Sequence, residues 1–112
     1  MTIEERAQGT TVILDMTGRL VVDDGDKQIK ERVATLLADG HRQIVMNVAA
    51  VSYVDSAGLG ALVSSSLAAR KVGGTVKLMN PSKKLVELLK MARLLSVFEV
   101  MEADVSAETP AT

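Results

Sequence analysis

A single α/β domain, with a mixed but mostly parallel β-sheet of four to five strands and helices packed on it, is predicted by this 112-residue sequence. From residue 43 onward, strand-like and helix-like stretches alternate, the pattern of a parallel sheet joined by right-handed crossovers. Before them, two strand-like stretches flank a Gly9-Thr10 turn, and an antiparallel pair there makes the sheet mixed. The length allows one domain with a modest core.

Residues 3–7 supply a short edge strand. In residues 11–17, Val12, Leu14 and Met16 alternate with Ile13, Asp15 and Thr17, a period of two, and Gly18 is read as the end of that strand. Asp23-Asp24-Gly25-Asp26 is a turn and cap cluster that opens a helix. Ile29, Val33, Leu36 and Leu37 then form one stripe on a 3.6-residue period, and Gly40 closes the helix. Residues 43–48 are nearly continuously apolar, as in a strand covered on both faces. Residues 56–72 read as a helix with Leu59, Leu62, Val63 and Leu67 on one face. Small residues, Ala61, Ser64, Ser65 and Ala68, occupy the opposite face, which serves either as solvated filler or as a smooth surface for a protein partner. Gly73-Gly74 stops this helix and residues 75–79 form the next strand. Asn80-Pro81-Ser82 opens a helix with proline in its first turn, and Leu85, Leu88, Leu89 and Ala92 make the buried stripe. A last strand is expected at 97–101. Met16, Met46, Met79 and Met101 are read as core filler within strands.

The composition narrows the functional classes. With 47% hydrophobic residues and a formal net charge of -1, the chain has the make-up of an ordinary globular protein. It contains no cysteine, which excludes disulfides, thiol catalysis and thiolate zinc sites. The amino-terminal residues are charged and lack the apolar core of a signal peptide, and no apolar run reaches the length of a membrane span. A cytoplasmic protein without a membrane partner is expected. Tyr53 and Phe98 are the only aromatic residues, so stacking platforms for nucleic acid are missing and no nucleic-acid partner is expected. Arg70, Lys71, Lys77, Lys83, Lys84, Lys90 and Arg93 stand against one acid, Glu87. Residues 94–112 carry Glu99, Glu102, Asp104 and Glu108 without a base. This asymmetry reads as a solvated basic face beside an acidic tail, or as an electrostatic docking surface for an acidic partner.

The chain is organised around Val51 to Leu62, within which Asp55-Ser56-Ala57-Gly58-Leu59-Gly60 marks the point where a strand gives way to a helix. Asp55 and Ser56 sit where a helix needs a side-chain oxygen to cap its free N–H groups. Gly58 and Gly60 in the first helical turn each cost about 1 kcal/mol relative to alanine. Glycine there signals a tight turn or a close approach to the backbone. The hexapeptide, with Gly18-Arg19-Leu20 upstream and Gly73-Gly74 downstream, resembles the signature of the STAS-domain anti-sigma factor antagonists. The order of elements resembles that family over residues 2–103. A STAS domain at 1–103 and a flexible tail at 104–112 are expected.

Catalytic readings fail on the residues themselves. The sole histidine, His41, precedes the strand leading to Ser56 and lies roughly 20 Å away at ~3.3 Å per strand residue, so no base serves that serine. The local pattern is not a Gly-x-Ser-x-Gly elbow. Gly58-Leu59-Gly60 lacks the third glycine of a dinucleotide fingerprint, Val63 standing in its place, and the next strand ends without a ribose-holding acid. No metal-ligand cluster and no cofactor site is read.

The resemblance implies a regulatory role. In that family the serine after the aspartate, here Ser56, is phosphorylated by a partner kinase that is also the anti-sigma factor. The unphosphorylated form binds that kinase and frees the sigma factor, and a separate serine phosphatase reverses the modification. The chain is then substrate and binder, not an enzyme. Asp55, Ala57, Gly58, Leu59 and Gly60 are the implied contact residues. Many family members carry aspartate directly after the leucine that Leu20 matches, whereas this chain has Val21. Asp23 or Asp24 is the candidate replacement. The alternative is a STAS accessory subunit of another assembly, such as a transport ATPase, in which the serine stays unmodified.

Overall fold

The computed structural model describes residues 1–101; the expected tail at 104–112 and the acids Glu102, Asp104 and Glu108 lie outside the described residues. Five strands form one sheet in sequence order. They are β1 (Thr2–Gln8), β2 (Thr11–Leu20), β3 (Gln43–Val54), β4 (Thr75–Met79) and β5 (Glu99–Met101). β1 and β2 are antiparallel, while β2, β3, β4 and β5 run parallel. Three helices make the crossovers: α1 (Asp26–Ala38), α2 (Ser56–Lys71) and α3 (Lys83–Met91). Every crossover joins neighbouring strands in the same direction, so right-handed connections place all three helices on one face of the sheet.

The core reflects that layering. Val12, Leu14 and Met16 of β2, Ile44, Met46 and Val48 of β3, and Val76 and Leu78 of β4 face the helices. Ile29, Val33 and Leu36 of α1, Leu62 of α2 and Leu85 and Leu89 of α3 meet them in one cluster. On the opposite face Ile13, Val45 and Met79 form a small second cluster, so β3 is buried on both sides as its composition suggests. Beside it the Asp15 carboxylate accepts from Arg6 Nε at 2.6 Å and from Asn47 Nδ2 at 2.8 Å, bracing β1, β2 and β3.

Several elements differ from the sequence expectation. β2 continues past Gly18 to Leu20, because register shifts around Thr17 and Gly18 absorb the glycine (φ +112°) as a bulge instead of ending the strand. β3 continues past Val48 to Val54, held by its ladder with the prolonged β2. Pro81 precedes α3 instead of opening its first turn; Ser82 is the cap, its hydroxyl accepting from Leu85 N–H at 3.1 Å. A 3-10 turn, Leu95–Val97, takes the start of the expected last strand, which is shortened to Glu99–Met101. Ala92 lies at the exposed end of α3 outside the buried stripe.

The faces of α2 are also rearranged. Gly58, Ala61, Leu62, Ser65, Ser66 and Ala69 are buried, while Leu67 stays 47% exposed. α2 packs against both α1 and the sheet, where small side chains allow close approach, so Ala61 and Ser65 belong to the interior, not to a smooth outer surface. Only Ser64 and Ala68 of the expected small face remain exposed. Leu62→Ala is therefore expected to cost about 2–5 kcal/mol, whereas Leu67→Ala should change stability by less than about 0.5 kcal/mol, as read by equilibrium urea unfolding.

Candidate functional site

The extra length of β2 and β3 builds the site. Leu20 pairs with Val54 at the carboxyl end of the sheet, so the loop after β2 and the start of α2 lie side by side. Asp55 joins them. Its Oδ1 accepts from Gly58 N–H at 2.8 Å and its Oδ2 from Val22 N–H at 3.0 Å. Its own N–H donates to the Leu20 carbonyl at 3.2 Å, and its carbonyl accepts from Leu59 N–H at 2.9 Å. Bonds from Gly58 and then Val22 to the ionised carboxylate hold Asp55 below the usual carboxylate range.

Asp55 is thus the N-cap of α2, and Ser56 is left as the first helical residue. Ser56 is exposed, and its hydroxyl has no hydrogen-bond partner among the described residues. Of the two residues that can cap this helix, one is committed to the scaffold and the other is free for chemistry.

The two glycines of the motif have different roles. A Cβ on Gly58 would lie 2.0 Å from the Leu20 carbonyl oxygen, and Gly58 is buried. The close approach signalled by the sequence is therefore made by the chain's own β2. Gly60 is exposed with nothing near a Cβ. Ala57 and Leu59 are half-buried beside Ser56.

The loop after β2 is a tight turn in which Val21 and Asp24 exchange backbone hydrogen bonds, both 3.0 Å. Asp23 sits at its tip with a positive φ of 59° and pairs with Lys27 Nζ at 3.1 Å. That contact raises the Lys27 pKa, chiefly through the Asp23 hydrogen bond. Asp24 Oδ1 accepts from the Met1 amino group at 2.7 Å. Both acids are exposed, but each already faces a cation. Val21 is buried in this turn, so its position offers a hydrophobic anchor and no acidic contact.

Sequence reasoning did not identify Val22, and although Tyr53 lies in the central stretch and Leu20 in the upstream signature, it assigned neither a role in the site. Leu20 imposes glycine at 58, and Val22 supplies the second bond to Asp55. Val22 (56% exposed) and Tyr53 (51% exposed) offer apolar surface on the two segments that flank Asp55. A pair of aliphatic residues, Val21-Val22, directly before two aspartates was the available signal. His41 is exposed in the α1–β3 connection, at the other end of the parallel strands from Ser56. Among the described residues no group of three or more His, Cys, Asp or Glu side chains is placed to hold a metal ion. No described helix is long and apolar enough to cross a membrane.

Comparison with known proteins gives a consistent picture. The STAS domain family model matches residues 2–107. Among solved structures, the anti-sigma factor antagonist SpoIIAA in its unphosphorylated form shares 21% identity at a TM-score of 0.76, over 95% of this chain and 93% of that one. The same Bacillus cell fate determinant in its phosphorylated form aligns at 0.74 and 21% identity, over 95% and 96% of the two chains. TM1081 of Thermotoga maritima, described as a putative anti-sigma factor antagonist, is 22% identical at 0.85, over 94% and 90%. Murine Slc26a9, an anion transporter, is 15% identical at 0.72, and there the match covers 91% of this chain but 18% of that one. At these identities the likeness is one of fold. No curated protein sequence matches the chain.

Three results are expected from the geometry. Gly58→Ala should destabilise the protein by about 2 kcal/mol or more, because the Leu20 carbonyl must move. Gly60→Ala should stabilise it by about 0.5–1 kcal/mol; thermal and urea unfolding of both variants check the pair. For Asp55, a folded pKa below the unfolded one means its contribution is complete above the ordinary carboxylate value of about 3.9 and lost as pH falls through the folded value. The stability deficit of Asp55→Asn, measured by urea unfolding, should therefore be largest at neutral pH and shrink as the pH falls below about 4.

Proposed function

Because the chain belongs to the STAS-domain family, we propose that it is an anti-sigma factor antagonist whose partner binding is gated by a phosphate on Ser56. The observation that carries this reading is the separation of roles at the helix entrance: Asp55 caps α2 while the Ser56 hydroxyl stands exposed and uncommitted. In its unphosphorylated form the protein binds an anti-sigma factor that is also a serine kinase, and so frees a sigma factor. That kinase supplies the ATP and transfers the phosphate; a separate phosphatase restores the hydroxyl. The chain itself is substrate and binder, acting in the cytoplasm where its partners work.

Electrostatics supports a gate of this kind. A phosphate adds about -1.5 to -2 charges at neutral pH. In the free protein it would sit at the positive end of α2, which tolerates anions, and no bond of the scaffold involves the Ser56 hydroxyl. In a desolvated interface the same charge, one residue from the Asp55 carboxylate, has no such compensation and costs several kcal/mol. About 4 kcal/mol corresponds to roughly a thousandfold in affinity. Binding is therefore lost well before the fold. Ser56, Ala57, Leu59 and Gly60 form the contact surface in this reading, with Val22, Asp23 and Asp24 beside it; Asp55 and Gly58 shape it from behind.

A second reading is an accessory STAS domain of a transport assembly, favoured by the likeness to part of murine Slc26a9. The two separate experimentally. Ser56→Glu should weaken capture of the kinase about a thousandfold while Ser56→Ala retains it, and added ATP should place one phosphate on Ser56 by mass spectrometry. Equal binding by both variants, with no phosphate transferred, would favour the accessory role.

A further inference from the structure

The amino edge of the parallel strands, at the far end of the domain from Ser56, is strongly basic. α2 ends there at Lys71 and α3 at Met91, because each returns the chain to the start of the next parallel strand. The helix ends and connections at this edge carry His41, Arg42, Arg70, Lys71, Lys90 and Arg93 against one acid, Asp39, among the described residues. Cations beside a helix carboxyl terminus complement the macrodipole, which accounts for Arg70, Lys71 and Lys90. It does not account for Arg93, nor for the apolar side chains set among these cations.

All three helices stop in the same way. The residue after each cap is left-handed: Gly40 (φ +97°) after α1, Gly73 (φ +82°) after α2 and Arg93 (φ +59°) after α3. At the end of α3, Arg93 N–H donates to the Lys90 carbonyl at 3.0 Å and Leu94 N–H to the Leu89 carbonyl at 2.7 Å. Glycine is the usual residue at such a stop, and a residue with a Cβ is strained there. Strain of this kind persists where a side chain serves a function. Beside Arg93, Met91 is 80% exposed, and Val72, which follows Lys71, is 47% exposed. Lys71, Lys90 and Arg93 are exposed and have no ion-pair partner among the described residues. Cations and protruding apolar side chains together make this edge amphipathic.

We propose that this edge docks on an anionic membrane surface, with Lys71, Lys90 and Arg93 at the lipid phosphates and Met91 and Val72 in the interfacial layer. Apolar side chains flanked by lysine and arginine are the make-up of interfacial segments. A stable protein interface takes about 800 Å² of complementary surface on each partner, whereas a lipid surface requires charge and apolar area without a matching shape. Peripheral contact of this kind needs no membrane-spanning run. α2 is 16 residues long, about 24 Å at 1.5 Å per residue, so Ser56 at its other end stays clear of the bilayer. The proposal goes beyond the phosphorylation of Ser56 and does not depend on it.

Flotation with vesicles of phosphatidylcholine and phosphatidylglycerol in equal parts, beside phosphatidylcholine alone, tests this. The three cations should favour the anionic vesicles about a hundredfold, and the preference should fall as salt is raised. Lys71→Gln and Lys90→Gln should each weaken binding about fivefold. Met91→Ser should weaken it severalfold without moving the thermal melt. Arg93→Gly should raise the melting temperature by relieving the left-handed arginine, yet weaken binding about fivefold; an arginine with only a structural role would leave binding unmoved. At about 0.1 M salt, exposed charges are screened beyond about 10 Å. The double variant Lys83→Gln, Lys84→Gln at the other end of α3 should therefore change binding less than about twofold. Ser56→Glu should leave it unchanged, which separates this test from that of the Ser56 gate. Equal partition onto both vesicle types, or a loss in the Lys83, Lys84 variant as large as that in Lys90→Gln, would overturn the proposal. So would saturable methyl NMR shifts at Met91 and Val72 from acetyl-hexaglutamyl-amide with no vesicle binding, which would assign this edge to an acidic protein partner.

Discussion

The Asp55 carboxylate is the constraint on which this architecture turns. One oxygen holds the first turn of α2 through Gly58, and the other holds the loop after β2 through Val22. Its backbone N–H ties the same junction to Leu20. A side chain with two acceptor oxygens and a negative charge is needed to receive two N–H groups that point at it from different segments. Leu20 must then pass so close to α2 that no Cβ fits at position 58. The motif's aspartate and first glycine are thus two halves of one contact between β2 and α2.

That division of labour leaves Ser56 free to carry chemistry. Were serine the cap, modifying its oxygen would disturb the helix and the fold together. With aspartate as the cap, a charge on Ser56 alters the surface potential of the helix end without removing any scaffold hydrogen bond. The surrounding surface, with exposed Val22 and Tyr53 near a small first turn, suits protein association more than turnover of a small substrate.

Much of this was legible in the sequence, and the failures have identifiable causes. The 3.6-residue stripe of α1 and the period-two pattern of β2 dictated their elements, and the Asp55-to-Gly60 hexapeptide pointed to the candidate site at the strand–helix junction. The ends of β2 and β3 were not legible, because a bulge at Gly18 and the shared ladder beyond Val48 depend on the partner strand. The faces of α2 were misjudged since small residues are buried wherever helices pack closely, and Leu67 was left outside. Asp55 and Ser56 are comparable caps by residue type; the extended backbone at Asp55 and the bonds it accepts from Gly58 and Val22 decide between them. Gly58 and Gly60 look alike in the sequence and are separated by the Leu20 carbonyl alone.

The most direct test of a charge gate that spares the fold is equilibrium urea unfolding of protein carrying phosphoserine at position 56, beside the unmodified chain. The expected result is a stability equal to or slightly above that of the unmodified protein, since a phosphate at a helix amino terminus contributes up to ~2 kcal/mol. A loss of several kcal/mol on phosphorylation would mean that the Ser56 hydroxyl is part of the scaffold, and would contradict the separation of roles between Asp55 and Ser56.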